Sequence, residues 1–189
     1  MPYILFRKKK IFYRVEGKGK PVLLLHGFGE DGNIWNHQIK SLIKNYLLII
    51  PDLPGSGKSE MLKGNCKMED YAEVVKAIAD ESIFKSKKQN QFSLIGHSMG
   101  GYITLSFAEK YPELLNSFGL FHSSAFADDE QKKVTRRKGI GFIQKNGTEL
   151  FLKSAIPNLF SEQTQKEKPE LIIQLLNISK DISPEALIQ

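Results

Sequence analysis

The sequence has 189 residues, of which 41% are hydrophobic and 25% are charged, a balance typical of a globular chain and not of a disordered or fibrous one. No apolar run is long enough to cross a bilayer, and the short apolar stretch at residues 3–6 precedes its charges, unlike a secretion signal. Because Cys66 is the only cysteine, an intrachain disulfide and a cysteine-based metal cluster are excluded. We therefore expect a cytoplasmic protein with no membrane partner and no metal.

The net charge of +6 raises the question of nucleic-acid binding. Short basic runs lie at residues 8–10, 85–88 and 132–138. They lack interleaved aromatic residues and zinc-ligand spacing, so we expect solvated faces and no nucleic-acid partner. In the third run four cations share one side of a predicted helix, namely Lys132, Lys133, Arg136 and Arg137. If that side borders a pocket, it would attract an acidic substrate.

Apolar runs and amphipathic segments alternate through the first two thirds of the chain. A loose alternation predicts an opening strand at Ile11–Val15. Continuous apolar runs, each too short for a helix, then predict buried strands at residues 22–25, 47–50, 92–95 and 118–121. Apolar residues at helical spacing predict helices at residues 35–43, 71–78 and 99–111, the last ended by a proline. This order predicts a mostly parallel sheet with right-handed crossovers.

The pattern changes near Ala127, after which no comparable strand is predicted. Helices are expected at residues 130–146, 148–155 and 169–179, and another begins at Pro184. We therefore predict an α/β core over residues 1–126, followed by a helical segment over residues 127–189.

A Gly-x-Ser-x-Gly pattern, Gly96-His97-Ser98-Met99-Gly100, lies between a predicted strand and a predicted helix. A tight strand-to-helix turn would lift the Ser98 hydroxyl clear of the sheet, and the flanking glycines would remove side chains that clash in such a turn. The alternative is a glycine-rich turn with an incidental serine. The position after a strand favours the first interpretation, with Ser98 as a nucleophile.

A second glycine-containing segment, His26-Gly27-Phe28-Gly29, follows the predicted strand at residues 22–25. Acyl transfer needs N–H donors aimed at a developing oxyanion, and the amides of Phe28 and Met99 are the candidates. For His26 we expect a structural role, in which its ring hydrogen-bonds the loop, and not proton transfer.

The segment Pro51-Asp52-Leu53-Pro54-Gly55-Ser56-Gly57-Lys58-Ser59 ends like a phosphate-binding loop. The required earlier glycine is replaced by Asp52, and no helix is predicted after Ser59. We therefore interpret the segment as a glycine-rich turn and not as a nucleotide site.

Together these segments resemble the α/β-hydrolase superfamily, in particular its cap-bearing branch of small esterase-like serine hydrolases. The resemblance covers residues 26–59, the turn around Ser98, residues 118–124 and the start of a cap at residues 125–129. It implies a doubly wound, mostly parallel sheet that is incomplete here, with residues 127–189 as the cap. It also implies that Ser98 attacks a small-molecule, carboxylic ester-like substrate to form an acyl-enzyme, without a cofactor, while Phe28 and Met99 form the oxyanion hole.

Two residues of the family's catalytic triad have no counterpart in this sequence, because the acid and the histidine lie on later loops. His122 is expected to be a strand-end residue, His37 lies in a helix, and His97 points away from the serine's role. Neither Asp128 nor Asp129 is assigned as the acid. We expect a fragment of a longer reading frame, in preference to completion by another chain, and little turnover by these 189 residues alone.

Two other functions remain open from the sequence. A non-catalytic binding module would keep the pocket without the triad, and a lyase or C–C bond hydrolase would share the fold. The substrate and the oligomeric state are not predicted. Four apolar residues of the helical segment suit either a pocket lining or the segment's own packing: Phe142, Phe151, Leu152 and Phe160.

Overall fold

A six-stranded mixed sheet forms the centre of the first part of the chain. Its strands are β1 (Tyr3–Phe6), β2 (Lys9–Gly17), β3 (Lys20–Leu25), β4 (Tyr46–Pro51), β5 (Phe92–His97) and β6 (Leu115–Phe121). They lie in the order β1-β2-β4-β3-β5-β6. Strands β3 to β6 pair in parallel, whereas β1 and β2 add antiparallel at one edge. The predicted mostly parallel sheet is therefore confirmed.

This computed structural model describes residues 2–86, 89–179 and 182–188. The chain divides into two compact units, one ending at Ala125 and the other starting at Phe126. Within the described residues, no helix has both the length and the apolar character that a membrane crossing requires.

Helices of the first unit lie on both faces of the sheet. They are α1 (Asn36–Leu42), α2 (Met68–Ser82) and α3 (Met99–Lys110). Alternate residues of β3 enter different cores: Leu23 and Leu25 join the cluster that contains α2 and α3, whereas Leu24 packs in the cluster that contains Trp35 and Ile39. Burial of both faces explains why β3 is an uninterrupted apolar run.

Strand β6 departs from the expected burial on both faces. It pairs with β5 alone and forms an edge of the sheet. Phe118 is 51% exposed and Phe121 is 45% exposed. The predicted strand is therefore present, but its two phenylalanines are only partly covered by the described residues.

The second unit contains helices α4 (Glu130–Asn146), α5 (Thr148–Ala155), α6 (Glu162–Glu167), α7 (Pro169–Ser179) and α8 (Pro184–Ile188). Residues 126–179 and 182–188 include no strand, as expected. Its buried side chains include Ile143, Leu152 and Leu175. Leu152 is thus buried, and the rings of Phe142 and Phe151 lie 6.4 Å apart.

Candidate active site

Ser98 occupies the turn between β5 and α3, in a backbone conformation that L-residues rarely adopt. Its φ is 50° and its ψ is −115°. Three hydrogen bonds hold the turn: the Ser98 N–H donates to the Phe121 carbonyl at 3.0 Å, and the Ser98 carbonyl accepts from the Gly101 N–H at 2.9 Å and the Ser123 hydroxyl at 2.7 Å. A strained turn of this kind costs about 1–3 kcal/mol and persists where the surroundings enforce it. The predicted strand–turn–helix arrangement is therefore present.

Two glycines of the pattern allow the helix to start directly against the sheet. A Cβ built on Gly96 would lie 2.1 Å from the Gly100 carbonyl oxygen. A Cβ built on Gly100 would lie 2.7 Å from the His26 carbonyl oxygen. Both distances are too short for any side chain, so both positions require glycine for packing.

Ser98 is half-buried, and its hydroxyl makes no hydrogen bond with any residue that the structure describes. His37 is exposed on α1. The His97 Nδ1 faces Glu30, and the His122 ring packs against Phe121 with centroids 4.7 Å apart. No histidine among the described residues thus contacts the hydroxyl as a base.

The loop that contains Phe28 passes beside Ser98. A Cβ built on Gly27 would lie 3.0 Å from the Ser98 Cβ. Phe28 follows Gly27 directly and is 40% exposed. Met99 is the first residue of α3, where backbone N–H groups lack partners within the helix and the helix dipole favours negative charge. The loop and the helix start therefore both adjoin the serine.

His26 is fully buried and both its ring nitrogens have backbone partners. Its Nε2 accepts from the Leu53 N–H at 2.8 Å, which leaves Nδ1 as the protonated nitrogen that donates to the Gly27 carbonyl at 2.8 Å. Burial lowers the pKa of His26, because the charged ring would be desolvated. The neutral ring therefore joins two loops, in agreement with the structural role expected for it.

The glycine-rich segment at residues 51–59 folds around a buried carboxylate. Asp52 accepts from the Gly32 N–H at 2.9 Å and from the Lys58 N–H at 2.8 Å. A Cβ built on Gly57 would lie 2.2 Å from an Asp52 oxygen, so this glycine makes room for the acid. Amides that face a carboxylate are not available to a phosphate, and the next helix begins only at Met68. The turn interpretation fits this geometry.

Glu30 lies at the candidate site, although the sequence pattern did not predict it. Its side chain is buried, with 4% of the residue exposed. Its Oε2 accepts from the Gly27 N–H at 2.7 Å and lies 2.9 Å from the His97 Nδ1. The only local signal was an acidic residue directly after the glycine-containing loop, and its partner His97 is distant in sequence.

Comparisons with known proteins agree with this fold. A family model described as the alpha/beta hydrolase fold matches residues 20–166. Among solved structures, a thermophilic esterase from Thermogutta terrifontis is 29% identical, with a TM-score of 0.86, and the match covers 95% of this chain and 65% of that chain.

Two curated relatives carry hydrolase names. The pimeloyl-[acyl-carrier protein] methyl ester esterase of Aeromonas hydrophila is 32% identical over 131 residues, which are 68% of this chain and 48% of the relative. A serine hydrolase-like protein of Danio rerio is 31% identical over 124 residues, which are 65% of this chain and 37% of the relative. The chain thus spans less than half the length of these two relatives.

Proposed function

Because the chain belongs to the α/β-hydrolase fold family, we propose that it is the nucleophile-bearing part of a serine hydrolase that cleaves small carboxylic ester-like substrates. The observation that carries this proposal is the strained turn at Ser98, which leaves the hydroxyl without a partner beside the Gly27–Phe28 loop. Strain at a turn of this kind is common at functional sites.

The proposed chemistry has two steps. The Ser98 oxygen attacks the acyl carbon while a base removes the hydroxyl proton. The electrons of the substrate's C=O bond move onto its carbonyl oxygen, and this oxyanion accepts hydrogen bonds from the N–H groups of Phe28 and Met99. Collapse of this intermediate expels the alcohol, which takes the proton and leaves an ester on Ser98. Water activated by the same base then releases the acid and restores the serine.

The base and its acid partner are proposed to come from polypeptide outside these 189 residues, in a longer reading frame in preference to a second chain. Edge strand β6 offers an unpaired, exposed apolar surface for further strands. The indole N–H of buried Trp35, whose ring lies 6.0 Å from that of Phe121, finds no acceptor among the described residues. Both features fit additional structure beside β6.

Two further assignments accompany this proposal. The helical unit that begins at Phe126 would act as the cap of the substrate pocket. The cytosol is the proposed compartment, because a reducing environment suits a chain with a single cysteine, Cys66.

The test is ester hydrolysis by the complete protein, the product of the reading frame that contains these residues, with p-nitrophenyl acetate as substrate. We expect turnover that Ser98→Ala reduces by at least about 10³-fold, because the nucleophile is lost. Ser93→Ala is the matched control, since Ser93 lies on β5, the strand that precedes Ser98, and its hydroxyl hydrogen-bonds that of Ser117. Equal activity of the wild type and Ser98→Ala would contradict the assignment. The 189-residue chain should show little turnover in the same assay.

One observation favours a second candidate, a non-catalytic binding module: no described histidine contacts the Ser98 hydroxyl. This candidate predicts saturable binding of an ester by the complete protein without release of acid or alcohol. A lyase or C–C bond hydrolase would instead be identified by its products.

A further inference from the structure

We propose that Glu30 is a positioning residue that fixes the Gly27–Phe28 loop relative to the Ser98 turn, so that the Phe28 amide and the nucleophile keep a constant separation. This inference deepens the proposed function and rests on it. It assigns Glu30 no contact with substrate and no part in proton transfer.

A single carboxylate oxygen makes the connection. Glu30 Oε2 accepts from the N–H of Gly27, the residue before Phe28, and contacts Nδ1 of His97, the residue before Ser98. A Cβ built on Gly27 would lie 3.0 Å from both this oxygen and the Ser98 Cβ. The carboxylate thus lies directly behind the two segments that supply the candidate oxyanion donor and the nucleophile.

The surroundings favour a rigid connection. Glu30 is almost fully buried, and hydrogen bonds to a buried carboxylate are shorter and stronger than those between neutral groups. The His97 ring is held on its other sides by Trp35 and Phe121, with centroids 6.4 Å and 5.9 Å away. Because the His97 ring is fixed, its contact with Glu30 restricts the carboxylate to one position. The carboxylate in turn holds the Gly27 N–H in place.

The same geometry excludes His97 as a base for Ser98 through Nδ1, because that nitrogen faces Glu30. The His97 ring contributes packing and one hydrogen bond. Misplacement of catalytic groups by about 1 Å costs about 10²-fold in rate, so a residue that fixes their separation has a measurable effect without touching substrate.

The first arm of the test uses the 189-residue chain and needs no activity. Amide hydrogen exchange of Gly27 is measured by NMR, relative to that of the core residue Leu94, in wild type, Glu30→Ala, His97→Ala and the double variant. We expect each single variant to accelerate Gly27 exchange by about 10-fold or more, because a charge-assisted hydrogen bond is lost or loosened. In the Glu30→Ala background, His97→Ala should add almost nothing.

The second arm measures ester hydrolysis by the complete protein. Glu30→Ala should lower kcat by about 10²-fold with KM changed by less than about 3-fold, because orientation and not substrate binding is lost. Glu30→Gln should restore kcat to within about 10-fold of wild type, since an amide oxygen can accept both hydrogen bonds. Glu73→Gln is the matched control: Glu73 bonds Lys110 and Tyr111 at the end of α3 opposite to Ser98, so this variant should leave kcat unchanged.

The outcomes separate the two proposals. Additive effects of Glu30→Ala and His97→Ala on Gly27 exchange, or equal kcat losses in Glu30→Ala and Glu30→Gln, would overturn the positioning role of Glu30. Wild-type protein without any Ser98-dependent hydrolysis would overturn the proposed function instead, whatever the exchange experiment shows.

Discussion

Ser98 has a backbone conformation that glycine adopts with much less strain, and its surroundings impose that conformation. Its N–H and carbonyl are bonded to residues of β6, α3 and Ser123, while its hydroxyl projects without a partner among the described residues. Residues held in such strained conformations cluster at functional sites, which supports the proposed role of Ser98.

Replacement of this residue by glycine should therefore stabilise the chain. We expect Ser98→Gly to raise the free energy of unfolding of the 189-residue chain by about 1 kcal/mol, because glycine tolerates the positive φ. Ser98→Ala keeps the Cβ and should change it by less than about 0.5 kcal/mol. Urea denaturation measures both, and a destabilised Ser98→Gly would show that the turn is not strained.

Gly96 and Gly119 lie on neighbouring strands, and we expect substitution by alanine to affect stability differently at the two positions. A Cβ at position 96 would collide with the Gly100 backbone at 2.1 Å, whereas one at position 119 would meet only Ile95 at 3.7 Å. We expect Gly96→Ala to destabilise the chain by more than about 3 kcal/mol, because backbone must move, and Gly119→Ala to be nearly neutral. Equal unfolding midpoints in urea would contradict the packing at the turn.

His26 gives the chain a sensitivity to acid. Because burial lowers its pKa below the ordinary value of 6.5, the unfolded chain takes up this proton first as the pH falls. The contribution is fully present above pH 6.5 and is lost at about 1.4 kcal/mol per pH unit below it, until the folded pKa is reached.

We therefore expect the wild type and the exposed-site control His37→Gln to lose stability equally between pH 7.5 and 5.5. His26→Gln should be less stable at pH 7.5 but lose less on acidification, because it has no proton to take up. Urea denaturation at the two pH values gives this comparison. Parallel losses in all three proteins would show that His26 titrates normally in the fold.

How far the sequence could predict these residues depends on the range of their interactions. The tight turn at Ser98 was predicted because the glycines that it requires are adjacent in sequence. The structural role of His26 was predicted because it lies in a glycine-containing loop directly after a strand. Glu30 was not predicted, since its role depends on the His97 side chain, which only the pairing of β3 with β5 brings near. The roles of Ser98, Phe28 and Met99 remain predictions.

At the scale of elements, apolar runs gave the parallel strands because strands buried on both faces need apolar residues at every position. Strand β1 was missed because its hairpin turn consists of Arg7 and Lys8, which adopt positive φ without the usual glycine or asparagine. The short helix α6 was missed because its polar sequence has no apolar stripe.

The two edges of the sheet should differ in their effect on association. Phe118 on β6 and Leu5 on β1 are both exposed apolar residues, but β6 is the edge of the parallel part of the sheet, whereas β1 is the outer strand of an antiparallel hairpin. We expect Phe118→Lys to raise the concentration at which the 189-residue chain aggregates, because a charge blocks edge pairing, and Leu5→Lys to have less effect. Light scattering as a function of protein concentration measures the onset of aggregation. A larger effect of Leu5→Lys would show that the chain aggregates mainly through β1.

For the whole molecule, the first unit holds the candidate nucleophile and both candidate oxyanion donors, and the second is a separate group of helices. The chain covers 65% of the solved esterase that it resembles. The sequence predicts a core over residues 1–126 and a helical segment over residues 127–189, because a change from strand–helix alternation to helices alone is visible along the chain. The substrate was beyond prediction, since a pocket is formed by side chains distant in sequence.

Reaction of the complete protein with a fluorophosphonate, followed by peptide mass mapping, tests the central claim that Ser98 is an activated nucleophile. We predict one covalent adduct per chain, located on Ser98 and abolished by Ser98→Ala. An adduct on another residue, or ester hydrolysis without any adduct on Ser98, would contradict it.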